Sequence, residues 1–201
     1  MKNINSCFTY IKLTFLYFSI CFNPLYELIL ALLFIALHLQ PGTILISSPN
    51  LEDPNFEKVV ICICEYNNKG AMGFVINQQF SRNLNELLEF SNCKNLPLFA
   101  GGPMMNENLY FIHQRPDIIK DGAILADGIY LGGNFKQAVT HINTSIHPEE
   151  DIKLFIGYCG WDAHQLEEEI NEGSWMITNT SRQIILSYNT LALWEQLYEN
   201  R

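Results

Sequence analysis

The chain has 201 residues, 48% hydrophobic and 16% charged, with a formal net charge of −9 at pH 7. That length suits one domain with or without an extension, and the apolar fraction is ample for a sizeable core. Beyond residue 40, ten basic side chains are scattered singly among twenty acidic ones, a balance that repels phosphate backbones and argues against direct nucleic-acid binding.

Residues 1–40 are far more apolar than the remainder of the chain and carry only Lys2, Lys12 and Glu27 as charges. Two apolar runs, 13–22 and 28–37, flank Asn23-Pro24 and Glu27, and each falls short of the roughly 20 residues that span a bilayer. Three readings stay open: a signal peptide without a clear small-x-small cleavage site, an inner-membrane anchor with its lysines on the cytoplasmic side, or a leader outside the working protein from an over-extended gene start. Against the last, no methionine lies between Met1 and Met72. The expected division is a leader over 1–40 and a domain over 41–201.

Pro41-Gly42 punctuates the boundary, and 43–47 reads as a short apolar strand. A turn-rich loop follows over 48–56, where Asp53-Pro54 bars helix propagation. The β-branched run 58–66 is the pattern of a strand buried on both faces, and Asn67-Asn68-Lys69-Gly70 turns it back into a second strand over 71–77. Helical spacing with an Asn83 cap marks 83–90. Strands are expected at 96–100, 109–113 and 123–130, then a short helix at 135–142. The run 152–158 reads as another buried strand, ending in a Cys159-Gly160-Trp161-Asp162 turn. Asp162 and Gln165 have capping-box spacing ahead of a helix over 163–171 that stops at Gly173. Late strands at 175–178 and 184–188 precede an amphipathic helix over 191–199. Strands and helices alternate without a βαβ rhythm, which favours an α+β fold.

Several blocks, in order, resemble the AlgH/YqgE family of small bacterial proteins: GTILISSPNLEDPNF, VVICICEYNNKGAMGFVIN, the GGP of PLFAGGP, ADGIYL and IGYCGWDAHQLEEEINEGSW. The resemblance spans residues 42 to about 198. It implies a single α+β domain built on a bifurcated mixed sheet with a small barrel surrounded by helices, in a bacterial, cytoplasmic protein. It implies no reaction, and the family's transcriptional-regulator label, which came from genetic association, has no DNA-binding motif to support it here. Matching positions are Asp53, Pro54, Cys64, Glu65, Gly70, Gly73, Asn77, Gly101, Gly102, Pro103, Asp127, Gly128, Gly157, Tyr158, Gly160, Trp161, Gln165 and Glu167. The chain departs where Tyr66 replaces a frequent His, Gln78-Gln79 an Arg-Pro, and Cys159 an Ala or Ser. Loss of that Arg weakens an anion-binding role for the turn.

Among six cysteines there is no CxxC pair and no Cys/His quartet with zinc spacing, so reduced thiols and no metal or cofactor are expected. Cys159 before a helix, with His164 a turn on, is the shape of a nucleophile elbow, but the second glycine of G-x-S-x-G is missing and a small turn-filler is the better reading. Cys62 and Cys64 share one strand face; Cys64, near the point where the strand surfaces, is the candidate for a thiol-redox role. Glu167, Glu168 and Glu169 read as a solvated helix face with Glu167 packed inward. The glycine-bearing turns Gly101-Gly102-Pro103, Asp127-Gly128 and Gly157-Tyr158-Cys159-Gly160-Trp161, with Gln165, each follow a strand; either they gather into a shallow pocket floored by backbone amides and Trp161, or their glycines only allow tight turns. The preferred expectation is a non-enzymatic regulatory or accessory module that binds a protein partner or a small metabolite there. A thiol-redox protein using Cys64 is the alternative, and a DNA-binding regulator ranks third.

Overall fold

The computed structural model describes residues 39–178, 181–190 and 192–199; the leader expected at 1–40 lies outside them except for its last two residues. Of these, Leu39 is buried and the Gln40 amide donates to Thr43 Oγ1 at 3.1 Å. Among the described residues no helix is long and apolar enough to cross a membrane.

Continuous β-branched stretches become the central strands. β1 (Ile44–Ser47), β2 (Val60–Asn67) and β3 (Gly70–Val75) form an antiparallel meander, with residues 60–64 buried as expected of a strand covered on both faces. β4 (Gln79–Asn83) and β5 (Pro97–Ala100) pair as a side branch, followed by β6 (Met104–His113), β7 (Ala123–Ala126) and β8 (Ile129–Leu131). The longest strand, β9 (Ile152–Asp162), organises the rest, and β10 (Trp175–Thr178) closes the free edge of β1.

Along β9 the sheet forks. Residues 154–156 take β5 in parallel on one edge and β6 antiparallel on the other, while from Cys159 onward the β5 edge passes to β3. The sheet is therefore mixed and bifurcated, but the small barrel implied by the resemblance is not formed. The strand path runs open from β10 to β7, and no pairing among the described residues closes it. β7 packs on the chain ahead of β1 without a hydrogen-bonded ladder: a Cβ on Gly42 would lie 2.2 Å from Ala126 Cβ.

Alternation along β9 feeds two cores. Phe155 enters one with Ile44, Val60, Phe99 and Trp194, stacking on Phe74 at 4.5 Å. Leu154 and Ile156 enter the other with Leu84, Phe111 and Ile142, beneath helix α1 (Phe135–Thr144). Lys153 also lies in β9 and is fully buried, without a carboxylate partner among the described residues. Its ammonium donates to Ile76 O at 2.7 Å and to Ser187 O, and sits 3.9 Å over the Phe99 ring.

Four expected elements come out differently. The strand expected at 123–130 is the hairpin of β7 and β8, broken by Asp127 and Gly128 at positive φ. The segment 83–90 forms two 3-10 turns (Leu84–Glu86 and Leu88–Phe90), because Leu87 between them is extended and interrupts the helical run. Residues 184–188, expected as a strand, fall largely in helix α3 (Arg182–Leu186). Ser181 Oγ caps Ile184 N, and Asp127 Oδ2 accepts the Arg182 N–H at 3.0 Å. The Cys159–Asp162 turn does not exist, since those residues continue β9. Helix α2 accordingly starts at Gln165 (Gln165–Asn171), and α4 (Leu193–Glu199) follows α3.

Candidate functional site

Segments 101–103 and 157–161 meet, but as crossing backbones rather than as neighbouring turns. The Gly101 N–H donates to Ile156 O at 2.8 Å, and Gly101 O accepts the Val75 N–H at 2.9 Å. At Gly102, with φ +153, a Cβ would fall 2.2 Å from the Tyr158 carbonyl carbon. At Gly157, with φ +71, it would fall 2.4 Å from Gly102 O. Only glycine fits both places. The crossing also displaces β6, whose register with β9 jumps from Met104↔Tyr158 to Leu109↔Ile156, so residues 105–108 bulge outward.

Cys159 lies inside β9 rather than at a strand-to-helix elbow. Its buried thiol donates to Gly101 O at 3.6 Å, and burial pushes it up to about 12, while His164 is exposed. Nothing in this arrangement activates a nucleophile.

Beyond the fork, Trp161 is the shared wall of two adjoining cavities. The larger, about 540 Å³, also involves Glu65, Met72, Tyr110, Tyr158 and Asp162. The smaller, about 360 Å³, reaches Asp53, Phe56, Pro103, Glu169 and Trp175. Met104, Gly160 and Gln165 line both. Trp161 is 8% exposed and its orientation is fixed by Glu169. Glu169 Oε2 accepts from Trp161 Nε1 at 2.8 Å and from Trp175 Nε1 at 2.7 Å, while Oε1 accepts from Gln165 Nε2 at 2.9 Å. The two indoles meet edge to face at 6.1 Å, and Phe56 meets Trp175 likewise at 5.5 Å. Gln165 Oε1 in turn accepts the Asp162 N–H at 3.0 Å, half of the expected capping box.

The helix face read as solvated is thus partly structural. Glu169 organises the cleft, and Glu167 accepts from the Tyr66 hydroxyl at 2.7 Å, tying α2 to β2. Burial, reinforced by Glu167, pushes that hydroxyl up to about 12. The i, i+4 spacing of Gln165 and Glu169 was the available signal, since it places both on one helix face. Trp175, Phe56 and Tyr110 carried no such mark.

The other candidates lie elsewhere. Asp127-Gly128 forms the β7–β8 turn with φ +48 and +76, and the Asp127 carboxylate caps α3; neither residue lines the Trp161 cavities. Cys64 is 4% exposed, in the core, because the strand surfaces one residue later at Glu65. Burial holds its thiol well above the usual range, and it donates to Cys62 O at 3.5 Å. His113 accepts the Arg115 N–H on Nδ1 and leaves a buried Nε2 without a hydrogen-bond partner among the described residues. His141 and Arg115 converge on Asp151 Oδ2, at 2.9 and 3.1 Å. Among the described residues no group of three or more Asp, Glu, His or Cys has the arrangement of a metal site.

Comparison with known proteins agrees with this fold. The DUF179, AlgH-like, family profile matches residues 44–201. A UPF0301 protein of Chlorobium limicola is 38% identical over 159 residues, covering 79% of this chain and 84% of the relative. One from Bacteroides thetaiotaomicron is 33% identical over 160 residues, covering 79% and 81%. The solution structure of AlgH from Pseudomonas aeruginosa superposes with a TM-score of 0.66 at 25% identity, over 80% of this chain and 87% of that one. A crystal structure from Corynebacterium diphtheriae gives 0.68 at 19% identity, over 81% and 87%. From residue 44 onward, then, the chain belongs to the AlgH-like family.

Proposed function

We propose that this protein is a non-enzymatic binding module whose partner engages the cleft shared by Trp161, Gly160 and Met104. The observation that carries this reading is the preorganisation of the cleft wall. One carboxylate, Glu169, fixes two indoles and a carboxamide with three hydrogen bonds, so the aromatic surface is held before any ligand arrives. A larger cavity of about 770 Å³ lies beside β4 and the bulge of β6, but Ser81, Arg82, Glu89, Asn106, Glu107 and Asn108 in its lining are all exposed. It offers no comparably fixed group. The buried thiols of Cys64 and Cys159 lend a redox role no support.

The test is affinity capture from native lysate with the wild type and with Gly160→Leu. At Gly160 the atoms that an added Cβ would meet are Met104 Sδ and Tyr158 Cε2, the ends of movable side chains, so the substitution fills the cleft without opposing the strand. Partners retained by the wild type and lost by Gly160→Leu support the proposal. Identical partner sets contradict it.

A further inference from the structure

The walls of the cleft indicate the class of ligand, an inference that rests on the cleft being a binding site. Every charged residue lining the two cavities is a carboxylate: Glu65 and Asp162 in the larger, Asp53 and Glu169 in the smaller. None of the four is ion-paired among the described residues. Glu169 is bound by neutral donors only, which fix its oxygens but leave its charge uncompensated and half-buried. Three of its roughly four acceptor positions are taken by these donors, so it contributes mainly field rather than a contact. The carboxylates of Glu65 and Asp162 accept no hydrogen bond from the described residues and remain available.

Aromatic rings complete the environment, with Tyr110, Tyr158 and Trp161 around the larger recess and Phe56 and Trp175 around the smaller. Available carboxylates set among π systems stabilise an organic cation through charge-assisted hydrogen bonds and cation–π attraction. The same field repels phosphates and carboxylates. Both recesses are lined by Met104, an exposed side chain packed against Gly160. Two adjoining recesses that share an adaptable thioether suit successive side chains of a peptide better than one compact metabolite.

We propose that the cleft receives a basic segment of a partner protein, with an arginine or lysine side chain held in the larger recess by Glu65 and Asp162. The probe is a random nine-residue peptide library displayed on phage, panned on the wild-type protein and counter-screened on Gly160→Leu. The expected result is a set of peptides enriched in Arg or Lys over the naive library that fail to bind Gly160→Leu. For these, Glu65→Gln with Asp162→Asn should weaken binding by about 10-fold or more, with unchanged thermal unfolding and a loss of salt sensitivity. Both positions are exposed, so this double variant keeps the fold even if Gly160→Leu does not. Neutral or acidic peptides that are lost on Gly160→Leu overturn the cationic ligand and leave the binding cleft standing. Unchanged affinity in the double variant does the same. Peptides that bind both proteins equally overturn the cleft reading as well, and recovery of no binder overturns a peptide ligand.

Discussion

Trp161 and Trp175, from strands that are not neighbours in the sheet, donate their indole protons to the same oxygen of Glu169, at 2.8 and 2.7 Å. Glu169→Ala would leave both N–H groups without that acceptor in a partly buried setting. The expected loss is about 1–3 kcal/mol of unfolding free energy, measured by urea denaturation. A change below about 0.5 kcal/mol, the range of an ordinary surface substitution, would mean that solvent replaces the carboxylate freely.

At Lys153, burial pushes the ammonium down to about 7 from an ordinary 10.5, while two carbonyls and the Phe99 ring favour its charged form. Between those values the folded chain holds fewer protons than the unfolded one. Its contribution to stability therefore rises with pH across that window and is lost as pH falls through about 7. Relative to Lys153→Met, the wild type should gain on the order of a few kcal/mol between pH 7 and 10. Denaturation curves at several pH values check this. A constant difference across the window would show that the amine keeps its ordinary pKa when buried.

Thiol reactivity tracks burial. Cys62, Cys64 and Cys159 are buried and Cys93 is only partly so, so brief alkylation of the native chain, mapped by mass spectrometry, should label Cys93 well ahead of those three. Early labelling of Cys64 would instead favour the thiol-redox reading.

The backbone crossing makes Gly102 irreplaceable. Gly102→Ala combines φ +153 with a Cβ 2.2 Å from the Tyr158 carbonyl carbon, and it should cost more than about 3 kcal/mol or prevent folding. Gly173→Ala, also at positive φ but with open space around it, should cost only about 1 kcal/mol. Equal losses in the two variants would mean that the crossing is looser than it stands.

The sequence was most legible where hydrophobic period and turn chemistry agreed, as in the hairpin of β2 and β3. It misled at Gly157 and Gly160, glycines read as a turn that instead continue β9; at Gly157 another backbone crosses closely, while Gly160 faces the side chains of Met104 and Tyr158. The apolar run at 184–188 is ambiguous between strand and helix, and contacts from Ser181 and Asp127 decide it. Glu169 was hidden among three consecutive glutamates. Its i, i+4 spacing from Gln165 sets it apart from Glu168, which is exposed, but the positions of Trp161 and Trp175 in space decide its role.

The most direct measurement of the central claim is hydrogen–deuterium exchange on the protein, free and in complex with a partner captured from native lysate. If the cleft is the binding site, protection should concentrate in residues 157–175 and around Met104. Protection confined to other surfaces, with 157–175 exchanging as in the free protein, would contradict it.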